Sequence, residues 1–271
     1  MVLPLRPAQR DDAAADGPRL DVLRRRRPAG GRADHGLGRL AALHARRPAR
    51  RGHRHAAEPD RLPVSPERTA APGADYWRAR ARALGERAVI STDHPDGAAL
   101  DDVTARHRAH VLPALAAELD GTERTVLDLG CGTGRLTADL AAAVGGRAIG
   151  VDPVPELLAL APASAATEFR TLEVGEPLPL ADDEVDVVFT LTVLGGLLHD
   201  DELDATAGEI RRVLRPGGLL LLAESVSDLP RVEHWVPRSA DDYAQAFPWA
   251  DLRVAARFDD AGDPIAVLAG R

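Results

Sequence analysis

Two acids and three glycines carry the chemistry that this sequence advertises most clearly. Asp128 stands two residues before Gly130, Gly132 and Gly134 follow at alternate positions, and Asp152 lies 20 residues beyond Gly132. Glycines at such a turn let a ligand approach the backbone N–H groups, because no Cβ stands in the way. A dinucleotide fingerprint, G-x-G-x-x-G, would need its third glycine at Arg135, counted from Gly130, or at Thr137, counted from Gly132. A carboxylate at Asp128 would also repel a pyrophosphate, whereas it suits a ligand that carries an ammonium group. Asp152 offers two acceptor oxygens, which suits the paired hydroxyls of a ribose. The set therefore fits a nucleoside with a cationic amino-acid end better than a dinucleotide.

The elements that must hold these residues are legible on either side. The run 125–129 is too short for a helix and rich enough in branched residues for a buried strand. After the glycines, Leu136, Leu140 and Val144 recur on one helical face, and Gly145-Gly146 stops the helix. A second apolar strand, 148–151, ends on Asp152. This strand–turn–helix–strand unit, with LDLGCGTG at 127–134 and its correctly spaced acid, closely resembles the first motif of class I S-adenosylmethionine (SAM)-dependent methyltransferases.

Two later stretches carry the same resemblance. One is Leu178-Pro179-Leu180 with Asp182-Asp183, ahead of a fourth strand at 185–190. The other is RRVLRPGGLLLLAE at 211–224, where a helix over 201–214 ends at Pro216-Gly217-Gly218 and a fifth strand covers 219–223. A short helix at 155–160, a third strand at 168–174, a late helix at 240–247 and a strand pair at 252–258 and 265–269 complete the expected elements. The resemblance implies a Rossmann-like, doubly wound α/β fold. Its seven-stranded sheet is mostly parallel, with an antiparallel C-terminal strand. It also implies SAM as cofactor, held by Asp128, Gly130, Cys131, Gly132, Gly134, Asp152, Pro153 and Thr190. Relatives place an acid or amide shortly before the Leu-Pro pair to read the adenine amino group. The aligned position here is Val174, so Val174, Gly175 and Glu176 stand as the adenine-side candidates.

Composition divides the chain. The first 84 residues hold 19 of the 34 basic residues and 9 of the 42 acids, while every aromatic lies at or after Tyr76. Residues 1–75 are expected to be a disordered Arg/Ala/Pro-rich extension, since such a composition buries little. The absence of Lys and Asn points to a GC-rich coding sequence, in which a start assigned too far upstream is a further reading of it. Residues 76–120 are expected to form helices that cover the cofactor and shape the acceptor site, with Leu100, Val103, His107, Val111, Leu115 and Leu119 inward. Residues 121–271 are expected to form the SAM-binding domain that the resemblance implies. The single cysteine excludes an internal disulfide and a cysteine metal cluster, and no metal site is expected. No apolar run approaches the ~20 residues of a membrane span, and no secretory leader is recognisable. A cytoplasmic protein with no membrane partner is the expectation. The sequence assigns no oligomeric state.

Methyl transfer mainly requires positioning, and a base only where the acceptor must lose a proton. The candidates for that base are His234 and His199, with Glu224, Arg238 and Tyr243 in the same region. The chain lacks the Asn/Asp-Pro-Pro-aromatic turn of base amino-methylases after the fourth strand. It also lacks a cysteine for cytosine C5 chemistry outside the glycine turn. With its excess of acids after residue 84, nucleic acid is an unfavoured substrate. The expected function is methylation of an O, N or C atom of a small metabolite. Two alternatives stand beside it. One is a non-catalytic SAM-fold binding protein, suggested by Gly195-Gly196 where relatives often carry His. The other is an RNA-modifying enzyme using the Arg-rich arm. A dehydrogenase is opposed by Asp128 and Arg135.

Overall fold

A computed structural model of the chain describes residues 72–91, 93–95 and 98–271. The expectation for residues 1–71 lies outside these. The first described helix, α1 (Pro72–Leu84), opens before the boundary expected at residue 75 and runs into a 3-10 turn, Gly85–Val89. The elements that follow are α2 (Leu100–Glu118), β1 (Thr125–Leu129), α3 (Thr137–Ala143), β2 (Arg147–Asp152), α4 (Pro155–Leu158), β3 (Thr167–Thr171) and β4 (Val185–Leu191). Then come α5 (Asp200–Val213), β5 (Leu214–Ser225), α6 (Ala240–Ala246), β6 (Arg253–Asp260) and β7 (Asp263–Gly270).

The seven strands form one sheet in the order β3-β2-β1-β4-β5-β7-β6. β7 alone runs against its neighbours, pairing antiparallel with both β5 and β6. The order of strand addition reverses between the parallel neighbours β1 and β4, which places the C-terminal ends of β1, β2 and β4 around one crevice. The inner strands are buried on both faces, as parallel strands covered by helices must be. Alternation then sorts their residues. Val126, Val187, Phe189, Leu219 and Leu221 meet Val111 and Leu115 of α2 and Leu140 of α3. Leu127, Leu129, Val188, Leu220 and Leu222 meet Leu203 and Ile210 of α5 and Tyr243 and Phe247 of α6. At roughly 25 cal/mol per Å² of apolar surface, these two layers supply most of the folding drive.

Several boundaries differ from expectation, those of β3 and β5 for a clear local reason. β3 stops at Thr171, because residues 173–176 close a turn in which the Glu176 N–H donates to the Glu173 carbonyl (3.0 Å) and Gly175 takes φ +83°. α4 is a single turn. β5 starts at Leu214, not 219, because Leu214 already pairs with Val185 and the Pro216-Gly217 arch is absorbed as an irregularity within the strand. Pro113 lies inside α2, and the helix continues across it.

Candidate cofactor and acceptor site

The glycine turn is bolted to β2. The N–H groups of Gly130 and Cys131 both donate to the Val151 carbonyl (2.7 and 3.1 Å), and the Gly132 N–H donates to Asp152 Oδ2 (2.8 Å). Gly130 and Gly132 have φ of +72° and +56°, a region that L side chains rarely adopt. Asp152 Oδ1 accepts from the Val154 N–H (2.9 Å), so each oxygen already holds one backbone donor and keeps a lone pair for another. Burial pushes the Asp152 carboxyl up to about 6 against the pull of these two donors. Asp128 is also raised by burial to about 6, although it accepts from the Thr137 hydroxyl (2.6 Å) and feels the Arg135 charge. The Cys131 thiol is buried and pushed up, first by burial and then by both acids, so it is no nucleophile. Gly134 has a packing reason of its own, since a Cβ there would fall 2.7 Å from the Phe169 ring of β3.

The N-terminal layer lies directly on this turn. Ala81, Ala88, Val154 and Leu157 form a small apolar cluster with Trp77 and Val89. A Cβ on Gly132 would stand 2.6 Å from the Val89 side chain, and one on Gly130 would stand 2.4 Å from Val193. Arg78 donates to the Pro153 carbonyl (3.3 Å), and Arg82 pairs with Glu156 (2.9 Å). The structure thus gathers Asp128, Gly130, Cys131, Gly132, Gly134, Asp152 and Pro153 into one place. Val174, Gly175 and Glu176 follow Leu172, whose N–H donates to the Asp152 carbonyl (3.0 Å). They form an exposed turn beyond β3, with the Val174 side chain in solvent. Thr190 is fully buried and donates its hydroxyl to Glu224 (2.7 Å).

The two histidines have different fates. His199 is exposed and precedes α5, where its N–H donates to Glu202 (3.2 Å). His234 is half-buried and stacks on Tyr76, with ring centroids 3.8 Å apart and planes 6° from parallel. Burial, and then the Arg80 charge, hold its pKa below the usual histidine value, so it is neutral at pH 7. Tyr76 meets Trp77 edge-on at 5.3 Å, and Arg80 lies over the Trp77 ring. The Trp235 ring rests on Gly195, and Trp77 Nε1 comes within 3.6 Å of a Cβ built on Gly196. Gly195 makes room for the Trp235 indole, whereas a Cβ on Gly196 would meet Trp77 only at ordinary contact distance.

Glu224, Arg238 and Tyr243 belong to the interior, not to an acceptor surface. Glu224 accepts from Thr190 Oγ1 and from the N–H groups of Val193 and Leu194 (3.0 and 3.1 Å), and burial raises it to about 7 despite these donors. Arg238 donates to the carbonyls of Leu194 (2.8 Å) and Leu197 (2.9 Å).

One cluster had no sequence signal beyond the inward period of His107. His94 and His107 bring Nε2 to 3.0 and 2.8 Å from the same oxygen of Asp260, at the end of β6. On the far side of each ring, Arg106 faces His94 Nδ1 (3.2 Å) and Arg135 faces His107 Nδ1 (2.7 Å). A guanidinium only donates, so each Nδ1 must accept and the ring proton sits on Nε2, toward Asp260. A cation at Nε2 would need that proton removed beside two arginines. The group of three therefore ties α2 and the β6–β7 hairpin to Arg135 of the glycine turn.

Comparison with known proteins agrees with this geometry. Residues 126–218 match the family model described as a methyltransferase domain. An uncharacterised methyltransferase of Mycobacterium tuberculosis is 37% identical over 110 residues, 41% of this chain and 43% of that protein. A ubiquinone/menaquinone biosynthesis C-methyltransferase of Rubrivivax gelatinosus is 35% identical over 135 residues, 44% of this chain and 52% of that protein. The chain thus spans about half the length of the curated relatives it matches. Among solved structures, a SAM-dependent methyltransferase of Leishmania major aligns with TM-score 0.55 at 20% identity, covering 73% of this chain and 81% of that one. The complex of DhpI with S-adenosylhomocysteine aligns at 0.53 and 20% identity, covering 74% of this chain and 95% of that one.

Proposed function

We propose that the chain, whose residues 126–218 match a methyltransferase-domain family model, is a class I enzyme that transfers a methyl group from SAM to a small-molecule acceptor. The observation that carries the reading is Asp152. Its carboxylate ends β2, holds the Gly132 N–H, and keeps lone pairs free beside a turn of positive-φ glycines. These residues fit the cofactor. Asp152 would accept from the ribose hydroxyls, the backbone of 130–132 would line the amino-acid end, and Asp128 would lie toward its ammonium group. When bound, SAM supplies a methyl carbon already activated by a sulfonium.

This chain's own groups then have three tasks. The glycine turn and Asp152 fix the cofactor's orientation, which alone can account for much of the acceleration. Trp77 and Trp235 keep water from the reacting centre. His234, held flat against Tyr76 and neutral at pH 7, can accept a proton from an acceptor hydroxyl or amine. The aromatic cluster favours a flat or apolar acceptor, and the acidic surplus beyond residue 84 disfavours nucleic acid. No helix among the described residues is long and apolar enough to cross a membrane. Val89 of the N-terminal layer and Val193 of the loop after β4 lie beside the glycines of the turn.

Calorimetric titration with S-adenosylhomocysteine tests the cofactor half. A labelled-methyl screen over metabolite and RNA fractions tests the acceptor half. Absence of S-adenosylhomocysteine binding at millimolar ligand would overturn the reading, and label entering RNA alone would overturn the small-molecule acceptor.

A further inference from the structure

The loop that follows β4 stands between the two halves of the site. On one side the Val193 side chain lies on Gly130 of the glycine turn. On the other, Gly195 seats the Trp235 ring and Gly196 lies beside Trp77. The loop is not a relaxed one, since Thr192 is a β-branched residue at φ +53°. Something must hold it there.

Two buried side chains grip it from opposite polarities. Glu224, at the end of β5 and fully buried, takes the donors: Thr190 Oγ1 (2.7 Å), Val193 N–H (3.0 Å) and Leu194 N–H (3.1 Å). Arg238 takes the acceptors, the carbonyls of Leu194 (2.8 Å) and Leu197 (2.9 Å). Backbone bonds at the edges, Thr192 N–H to Ala223 and Val236 N–H to Gly195 (both 2.8 Å), complete the attachment. We propose that Glu224 is a positioning residue whose carboxylate holds the loop 192–197 as the partition between the cofactor turn and the Tyr76–Trp77–His234–Trp235 cluster. The proposal rests on the cofactor reading above for its functional consequence, but the clamp itself does not.

Geometry and charge make opposite demands on the substitutions. In Glu224→Gln the amide oxygen can accept from both backbone N–H groups while its NH2 donates to Thr190 Oγ1, so the grip survives without charge. In Glu224→Asp the charge survives, but the carboxylate is withdrawn by about one bond length, ~1.5 Å, and the bonds are lost. Hydrogen exchange at the Val193 and Leu194 amides is measured together with S-adenosylhomocysteine affinity by calorimetry. For Glu224→Gln, both should stay within roughly threefold of wild type. For Glu224→Asp, exchange at those two amides should quicken and affinity should weaken, each by about tenfold or more, with β1 amides unchanged. Should the shortened side chain unfold the chain, Val193→Ala carries the test. It strips the cover from Gly130 and leaves the clamp, so a fall of about tenfold in affinity supports the proposal and a change within roughly threefold overturns it. A wild-type protein that binds no S-adenosylhomocysteine defeats the cofactor reading alone, since the exchange measurement still reports the clamp. A Glu224→Gln protein that fails to fold, or Gln losing protection and affinity where Asp keeps them, overturns the proposal.

Discussion

The Cα of Gly195 lies against the indole of Trp235, so closely that a methyl group there would fall 2.3 Å from the ring. A contact this short leaves Gly195→Ala no space without moving the tryptophan. We expect the substitution to lower stability by about 1–3 kcal/mol, as overpacking does, and to shift tryptophan emission. Unchanged thermal unfolding and unchanged emission would show that Trp235 is free to move aside.

Asp152 serves the fold as well as the ligand. Asp152→Ala leaves the N–H groups of Gly132 and Val154 without their acceptor, which should cost about 1–3 kcal/mol of stability. It should also weaken S-adenosylhomocysteine binding by about 10- to 100-fold. Asp152→Asn turns an NH2 toward one of those two donors and should not restore stability. Denaturant unfolding and calorimetry on the same preparations check both parts, and affinity within roughly threefold of wild type would remove Asp152 from the cofactor site.

His234→Ala should leave S-adenosylhomocysteine affinity nearly unchanged while slowing turnover of a proton-bearing acceptor by about 100-fold or more. Tyr76→Leu removes the stacking partner and should raise the acceptor KM with a smaller effect on kcat. Equal losses of cofactor affinity and turnover in His234→Ala would instead assign it a structural role.

Glu224 gives the protein a pH signature. Its folded pKa of about 7 lies above the ordinary glutamate value, so the folded state binds the extra proton between these limits. Stability from this group is therefore full below the ordinary value and is lost as pH rises toward 7. Arg238, before α6, and Tyr243, on α6, are ionisable groups that face it. His107, lowered by burial, contributes with the opposite sign, but equally in both proteins compared. The difference in melting temperature between wild type and Glu224→Gln should thus change steadily from pH 5 to 7.5, wild type losing ground. A constant difference across that range would deny the shift.

The N-terminal layer can be removed in two steps. A chain beginning at residue 70 should keep its melting temperature, because α1 begins at Pro72. One beginning at Gly85 loses Trp77 and Ala81 from the cluster around Val154 and Leu157. It should melt lower, by roughly 2–4 °C for each kcal/mol lost. Equal melting temperatures for the full chain and the shorter form would show that α1 contributes nothing to the fold.

Much of this was already written in the order of residues. The strand at 125–129, the glycine turn, the following helix and Asp152 at the end of β2 are local features. A run of branched residues, three positive-φ positions and a 3.6-residue period each specify their own neighbourhood. The seven-stranded sheet and its antiparallel β7 were implied by the resemblance of these motifs to a known family, and the structure has them. What the tertiary structure alone decided was the choice of distant partners. Periodicity says that His107 faces inward but not that it would meet His94 on Asp260, and nothing local says that Thr190, a cofactor candidate, would be spent on Glu224. The pair Gly195-Gly196 reads as a missing functional side chain in sequence, whereas in the fold the Trp235 ring fills the space beside Gly195. Alternation and helical period encode a direction relative to the core. Which group waits there depends on how segments far apart in the chain pack, and that is settled only when the layers close.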